Sequence, residues 1–233
     1  QGGEQRRHMK GLQPRGRPAG DGVQPQLEIS LQPVAHRKGE EEHQRQSHII
    51  KINQTREYEE LEISRTAEHV RAYIKVQDGC NQFCTYCIIP YARGRVRSLP
   101  VEQALEQTAR LADAGVHEIV LTGIEIASYG KDFEPQVPLT ELLEKLLTAQ
   151  PNVQFRLGSL DPRAVDDAFC ERLAGFANLA RHFHLSMQSG CDTVLRRMNR
   201  HYTSEEFYRC VERLRRAFPD CSVTTDLIVG FPG

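Results

Sequence analysis

The sequence predicts an α/β fold: a partial parallel (β/α) barrel, incomplete at its C-terminal end and preceded by a poorly ordered N-terminal segment. Three observations carry this. From Arg71 onward, short apolar runs alternate with amphipathic stretches. Successive strands are separated by single helices and never by hairpin turns, which implies parallel pairing through right-handed crossovers. The polar, cysteine-bearing segments follow the strands, on the side where β/α barrels carry their chemistry. An open doubly wound sheet is the alternative, weakened because no Gly-x-Gly-x-x-Gly follows the first strand.

The first fifty residues are rich in Gln, Gly, Pro and charge and contain no Phe, Tyr, Trp or Cys. Such a segment buries too little apolar surface to offset its ordering entropy. Residues 1–70 are therefore expected to be disordered or the remnant of an upstream domain, and 71–233 the core domain. Residues 72–76 form a first strand. Residues 101–114 carry apolar side chains at helical spacing, opened by Ser98-Leu99-Pro100 and closed by Gly115. The run 118–123 is a buried strand ending in glycine, and 139–149 a helix stopped before Pro151. A strand over 153–157, a helix over 164–174 and a strand over 182–187 follow. Residues 204–217 form a helix capped by Thr203 or Ser204, and 222–229 a fifth strand.

With 30 Lys+Arg against 31 Asp+Glu the formal charge is −1, so bulk electrostatics does not point to nucleic acid. No apolar run approaches the ~18 residues of a membrane helix, and the N-terminus lacks a signal-peptide core. The expectation is a cytoplasmic protein with no membrane partner.

Seven cysteines are present, none before Cys80, and three fall on one loop as Cys80-x-x-x-Cys84-x-x-Cys87. An odd, clustered set argues against a disulfide framework and for metal binding or chemistry. Structural zinc wants four ligands, but the nearest histidines, His69 and His117, lie outside the loop. An iron–sulfur cubane normally takes four cysteines. Three would leave one iron open, which suits catalysis. The alternative, three small core residues, fits poorly with a polar loop bounded by Asp78-Gly79 and interrupted by Asn81-Gln82.

Cys80-x-x-x-Cys84-x-Tyr86-Cys87 resembles the signature of the radical S-adenosylmethionine (SAM) enzymes. The wider segment 73–94 is similar to the methylthiotransferases, within them to those acting on threonylcarbamoyladenosine of bacterial tRNA. Leu121-Thr-Gly-Ile-Glu-Ile-Ala-Ser-Tyr-Gly130, Arg156-Leu-Gly-Ser159-Leu-Asp-Pro162, His184-Leu-Ser-Met-Gln188-Ser-Gly190 and Thr225-Asp226-Leu-Ile-Val-Gly-Phe-Pro-Gly233 agree. The resemblance implies a partial barrel of the radical SAM type, with a 4Fe-4S cluster whose open iron chelates SAM. One-electron cleavage of SAM then yields a radical that activates an inert C–H position, here converting C–H to C–S–CH3 at adenine C2 next to the anticodon. The implied partners are tRNA and an electron donor such as flavodoxin or ferredoxin. Alternatives are a methylthiotransferase for isopentenyladenosine tRNA or for a ribosomal protein, and a non-catalytic metal-binding fragment.

Carried onto this sequence, the resemblance makes Cys80, Cys84 and Cys87 the cluster ligands. It puts Tyr86 by the adenine of SAM, and Gly123 and Glu125 by the methionine amino group. Ser159, Gln188 and Asp226 end the third, fourth and fifth strands and face the cofactor by barrel geometry; Ser159 could instead cap the turn before Asp161-Pro162. Cys170 and Cys210 are expected in the core, and Cys191 lies near the site. Arg93, Arg95 and Arg97, and again Arg196, Arg197 and Arg200, form basic groups that would meet phosphate if the substrate is tRNA. Family members usually carry an upstream domain with three further cysteines and a C-terminal RNA-binding domain. This chain shows neither, so the expectation is a fragment that binds one cluster and cleaves SAM without completing methylthiolation.

Overall fold

Tyr73, Lys75 and Gln77 alternate with Ala72, Ile74 and Val76 along β1 (Arg71–Asp78), and the second set is buried against helices. This computed structural model describes Ile52, residues 55–58 and residues 71–232. The expectation for residues 1–70 otherwise lies outside the described residues.

A short helix, α1 (Ile89–Ala92), and a two-residue strand, β2 (Arg97–Ser98), follow β1. Next come α2 (Val101–Asp113), β3 (Glu118–Gly123), α3 (Leu139–Ala149), β4 (Gln154–Leu157), α4 (Asp167–Leu173) and β5 (His182–His184). The described chain ends with α5 (Asp192–Arg197), α6 (Ser204–Ala217) and β6 (Ser222–Thr224). β1, β3 and β4 pair in parallel, with β2 antiparallel on the outer edge of β1, and β5 pairs in parallel with β6. Backbone bonds from Leu160 N to His184 O (2.8 Å) and from Ser186 N to Leu160 O (3.0 Å) join the two groups. Among the described residues the result is a curled run of five parallel strands in chain order: the expected partial barrel.

The layer between strands and helices is apolar. Ile74, Val76, Ile119, Leu121, Phe155, Leu157, Phe183 and Leu185 meet the inner faces of α2, α3, α4 and α6. Phe169, Phe183 and Phe218 form a linked aromatic group, Phe183 and Phe218 with centroids 4.9 Å apart. Cys170 and Cys210 lie in this core as expected, and burial pushes their thiols up to about 11 and about 12. Thr203 caps α6 in a capping box with Glu206.

The other face of the sheet is polar. Glu118 on β3 takes Arg71 of β1 and Arg156 of β4, while His182 and His184 of β5 share the Thr224 hydroxyl of β6 at 3.1 and 3.0 Å. Two expectations are revised. The helix expected over 164–174 is split into a 3-10 turn, Pro162–Ala164, and α4, because Asp161 accepts from Arg163 N and Asp166 from Phe169 N. The fourth and fifth strands are shorter, since Gln188 turns to φ +63° and its backbone meets the 226–228 segment through single bonds.

Candidate functional site

The cysteine loop leaves β1 through Gly79, whose φ is +70° and where a Cβ would lie 1.8 Å from the Arg95 carbonyl oxygen. That close approach lets the returning chain seal the loop base: Cys80 N donates to Gly94 O at 3.0 Å, and β2 pairs with Gln77 and Asp78. Asp78 is buried and accepts from Gly79 N at 2.8 Å, with Lys75 and Arg93 at 3.1 Å and Arg97 at 3.5 Å. Burial pulls its carboxyl upward, but the Gly79 amide, Lys75 and Arg93 outweigh burial and hold it below its ordinary value.

The far side of the loop is pinned by the end of α5. Thr85 N bonds Met198 O at 3.1 Å, and the Thr85 hydroxyl bonds Arg197 O at 2.9 Å. Asn199 donates to both Gln82 O and Phe83 O at 3.1 Å. Arg200 reaches the Cys84 sulfur at 3.3 Å and Asp161 at 3.3 Å, its guanidinium 4.8 Å over the Tyr202 ring. Burial, opposed by a bond from Gln82 N, raises the Cys80 thiol, and the charges of Glu125, Cys84 and Cys87 push the same way.

Gln77 connects this loop to the end of β3. Its side chain is fully buried; Nε2 donates to the carbonyls of Asp78 and Gly79 at 2.7 Å, and Oε1 accepts from Glu125 N at 2.8 Å. A Cβ at Gly123 would lie 2.9 Å from that Oε1, so the glycine makes room for it. Ser128 donates to Glu125 Oε2, while Glu125 Oε1 is buried without a hydrogen-bond partner among the described residues. A buried carboxylate oxygen left unpaired is costly and marks a place for a cationic ligand group.

The remaining expected residues sit at strand ends. Tyr86 is 40% exposed, with Phe231 edge-on at 6.3 Å. Ser159 is exposed past β4 and does not cap the next turn, a role Asp161 takes. Gln188 N bonds Asp226 O at 3.0 Å, and the Asp226 carboxylate is 80% exposed, 3.5 Å from His184. Gln77 thus links the Gly79 base of the cysteine loop to Gly123 and Glu125, and the backbones of Gln188 and Asp226 pair. Arg163, bonded to Gln82 at 3.1 Å and to Asp161, ties the 159–163 turn to the loop.

Sequence reasoning missed Gln77, Asp161 and Asn199 as supports of the site; polar residues at the end of an otherwise apolar strand were the available signal for Gln77. It also grouped arginines by neighbourhood in the chain, whereas Arg93 and Arg97 belong to Asp78, and Arg200 is buried on Cys84 and Asp161.

All seven cysteines are free thiols. Among the described residues no three Cys, His, Asp or Glu side chains converge as for a single metal ion. A cluster presents a separate iron to each thiolate, so it does not require that convergence. Three free thiols on one loop, with Glu125 close enough for its charge to raise the Cys80 thiol and its Oε1 without a partner among the described residues, suit a cluster that leaves one iron for a ligand bearing an amino group.

A parallel half-barrel with such a loop at its strand C-termini carries its reactive groups where this architecture places them. The chain belongs to the radical SAM superfamily, whose model matches residues 74–233. It is 42% identical over 194 residues to the threonylcarbamoyladenosine tRNA methylthiotransferase MtaB of Bacillus subtilis, covering 83% of this chain and 43% of that protein. It is also 42% identical over 166 residues to the tRNA-2-methylthio-N(6)-dimethylallyladenosine synthase of Caldicellulosiruptor saccharolyticus, covering 71% and 35%. The chain therefore spans about two-fifths of the length of these relatives. Among solved structures it is similar to the radical SAM methyltransferase TsrM of Kitasatospora setae, with a TM-score of 0.55 and 19% identity, covering 70% of this chain and 31% of that one. No helix among the described residues is long and apolar enough to cross a membrane.

Proposed function

We propose that this chain is the SAM-cleaving core of a tRNA methylthiotransferase that acts on threonylcarbamoyladenosine beside the anticodon. The observation that carries the reading is the buried Glu125 Oε1, without a partner among the described residues, beside a loop of three free thiols at the C-terminal ends of parallel strands. The names of the relatives support the substrate class.

Cys80, Cys84 and Cys87 would hold the 4Fe-4S cluster. Tyr86, Gly123, Glu125, Ser159, Gln188 and Asp226 would line SAM. Bound there, the cluster and SAM supply a one-electron route to hydrogen abstraction from an unactivated C–H bond. The chain's own residues do the positioning. Gln77 ties the Gly79 end of the cysteine loop to the Glu125 segment, which fixes the two relative to each other. Glu125 Oε1 gives an ammonium group a charge-assisted acceptor. Arg200 bridges the Cys84 sulfur and the Asp161 carboxylate and so holds that side of the loop in place. A flavodoxin or ferredoxin would deliver the electron.

Anaerobic reconstitution tests this. About four irons per chain and release of 5′-deoxyadenosine from SAM support the reading, and Glu125→Gln should weaken SAM binding while leaving iron content unchanged. Bound zinc with no SAM cleavage overturns it. A second reading, favoured by the equal 42% identity to the dimethylallyladenosine enzyme, is separated from the first by mass spectrometry of tRNA from a deletion strain.

A further inference from the structure

The arginines that follow the cysteine loop part company in space. Arg93 and Arg97 turn to Asp78, whereas Arg95 makes no ion pair among the described residues and its guanidinium lies 4.7 Å over the Phe83 ring. It lines a cavity of about 560 Å³ together with Arg56, Asn81, Val96, Lys131 and Asp132. Arg56 and Lys131 likewise make no ion pair among the described residues.

Three separate segments deliver these cations, and each is held by its own packing. Arg95 stands opposite Gly79, where only a glycine permits the approach of its carbonyl. Arg56 lies between Ile52, whose carbonyl closes on Gly94, and Tyr58, whose hydroxyl donates to Lys75 O. Lys131 follows Gly130, whose amide donates to the Ser98 hydroxyl at 2.8 Å. The acid in the lining, Asp132, already has both oxygens engaged, one by Ser98 N at 2.9 Å and the other by the Ser98 hydroxyl at 2.6 Å. Asn81 accepts from Val96 N at 3.4 Å through Oδ1, which leaves its amide nitrogen to donate into the cavity. The cavity therefore offers three cations and a neutral donor against one carboxylate committed to Ser98, a balance that favours a phosphate group.

We propose that this cavity takes a backbone phosphate of the RNA substrate and holds the strand beside the cysteine loop, which Asn81, adjacent to Cys80, shares with it. The inference rests on the tRNA reading above. A phosphate contact positions without reading sequence, which suits a site that must present one nucleotide to a fixed cofactor.

The test is binding of a fluorescent anticodon stem-loop RNA by the reconstituted chain as a function of salt, for wild type, Arg95→Gln, Lys131→Gln and Arg56→Gln. Arg209→Gln on α6 serves as the remote control. Each cavity substitution should weaken binding about tenfold and make the logarithmic salt dependence shallower by about 1, with the control, iron content and melting temperature unmoved. Wild-type RNA binding that the three substitutions leave untouched overturns the cavity proposal while the tRNA reading stands. No RNA binding by wild type, with pyrophosphate bound and lost on substitution, makes the cavity a small-anion site and overturns the proposal together with the RNA part of that reading. SAM cleavage, measured on the same samples, reports the radical SAM part separately.

Discussion

Replacing Asp161 by asparagine should remove about 3 kcal/mol of stability. The carboxylate is 5% exposed and is held by Arg163 at 2.8 Å and by Arg200 at 3.3 Å, whose own side chain is only 9% exposed. Breaking a buried pair costs about 3–5 kcal/mol because the surviving charge is left without compensation. Arg163 is 41% exposed and can turn to water, which places the loss at the lower end. For a domain of this size about 3 kcal/mol lowers the melting temperature by about 6–12 °C, readable by circular dichroism at pH 7. The double variant Asp161→Asn/Arg200→Met removes both buried charges and should recover much of the loss. Acid titration gives a further check. Burial pulls the Asp161 carboxyl upward, but Arg163 and Arg200 prevail and hold it below its ordinary value. A depressed folded pKa means that the stabilisation is complete above the unfolded value of about 3.9 and is lost as pH falls through it toward the folded value. The acid limb of the stability curve should therefore flatten in the asparagine variant. A single variant within about 1 kcal/mol of wild type, or a double variant as unstable as the sum of the two singles, would refute the reasoning.

Gly79→Ala should destabilise by at least about 2 kcal/mol, since the left-handed backbone alone costs about 1–2 and the new methyl displaces the Arg95 carbonyl; a lowered urea midpoint and faster Cys80 alkylation are the readouts. Phe183→Ala, at the centre of the aromatic group, should cost about 3–5 kcal/mol by the same denaturation. Thr203→Ala removes one half of the α6 capping box and should cost about 1 kcal/mol. Its effect should add to that of Gly79→Ala, and a deviation larger than about 0.5 kcal/mol in the double variant would show that loop and helix are coupled.

The barrel was legible because its periods are clean. Residues 118–123, 139–149 and 204–217 lie in the structure where apolar spacing and flanking breakers put them. Elements that owe their existence to tertiary partners were not legible. β2 is two residues long and exists because β1 offers it Gln77 and Asp78. α5 is six residues with Leu195 alone buried, too little for a helical period to register. The same limit governs the site. Three cysteines at fixed spacing stand out in the sequence, but the setting of Glu125 depends on tertiary contacts, with Gln77 taking its amide and Ser128 one carboxylate oxygen. Of the basic cavity the sequence offered Arg95 alone, because Arg56 and Lys131 come from two distant segments and two of Arg95's neighbours in the chain face elsewhere.

The three thiols are neighbours in the chain, yet the loop that bears them is anchored by residues more than a hundred positions later, through Thr85 to Arg197, Asn199 to Gln82 and Arg200 to Cys84. Loop closure over such a separation is entropically late. During synthesis the segment that carries Cys84 therefore gains these anchors only when the chain through Arg200 has emerged and docked, after the fourth parallel strand and before the fifth. Pulsed alkylation during refolding should find Cys84 becoming protected together with the amides of α5, and the interval before that is when the thiols are open to oxidation.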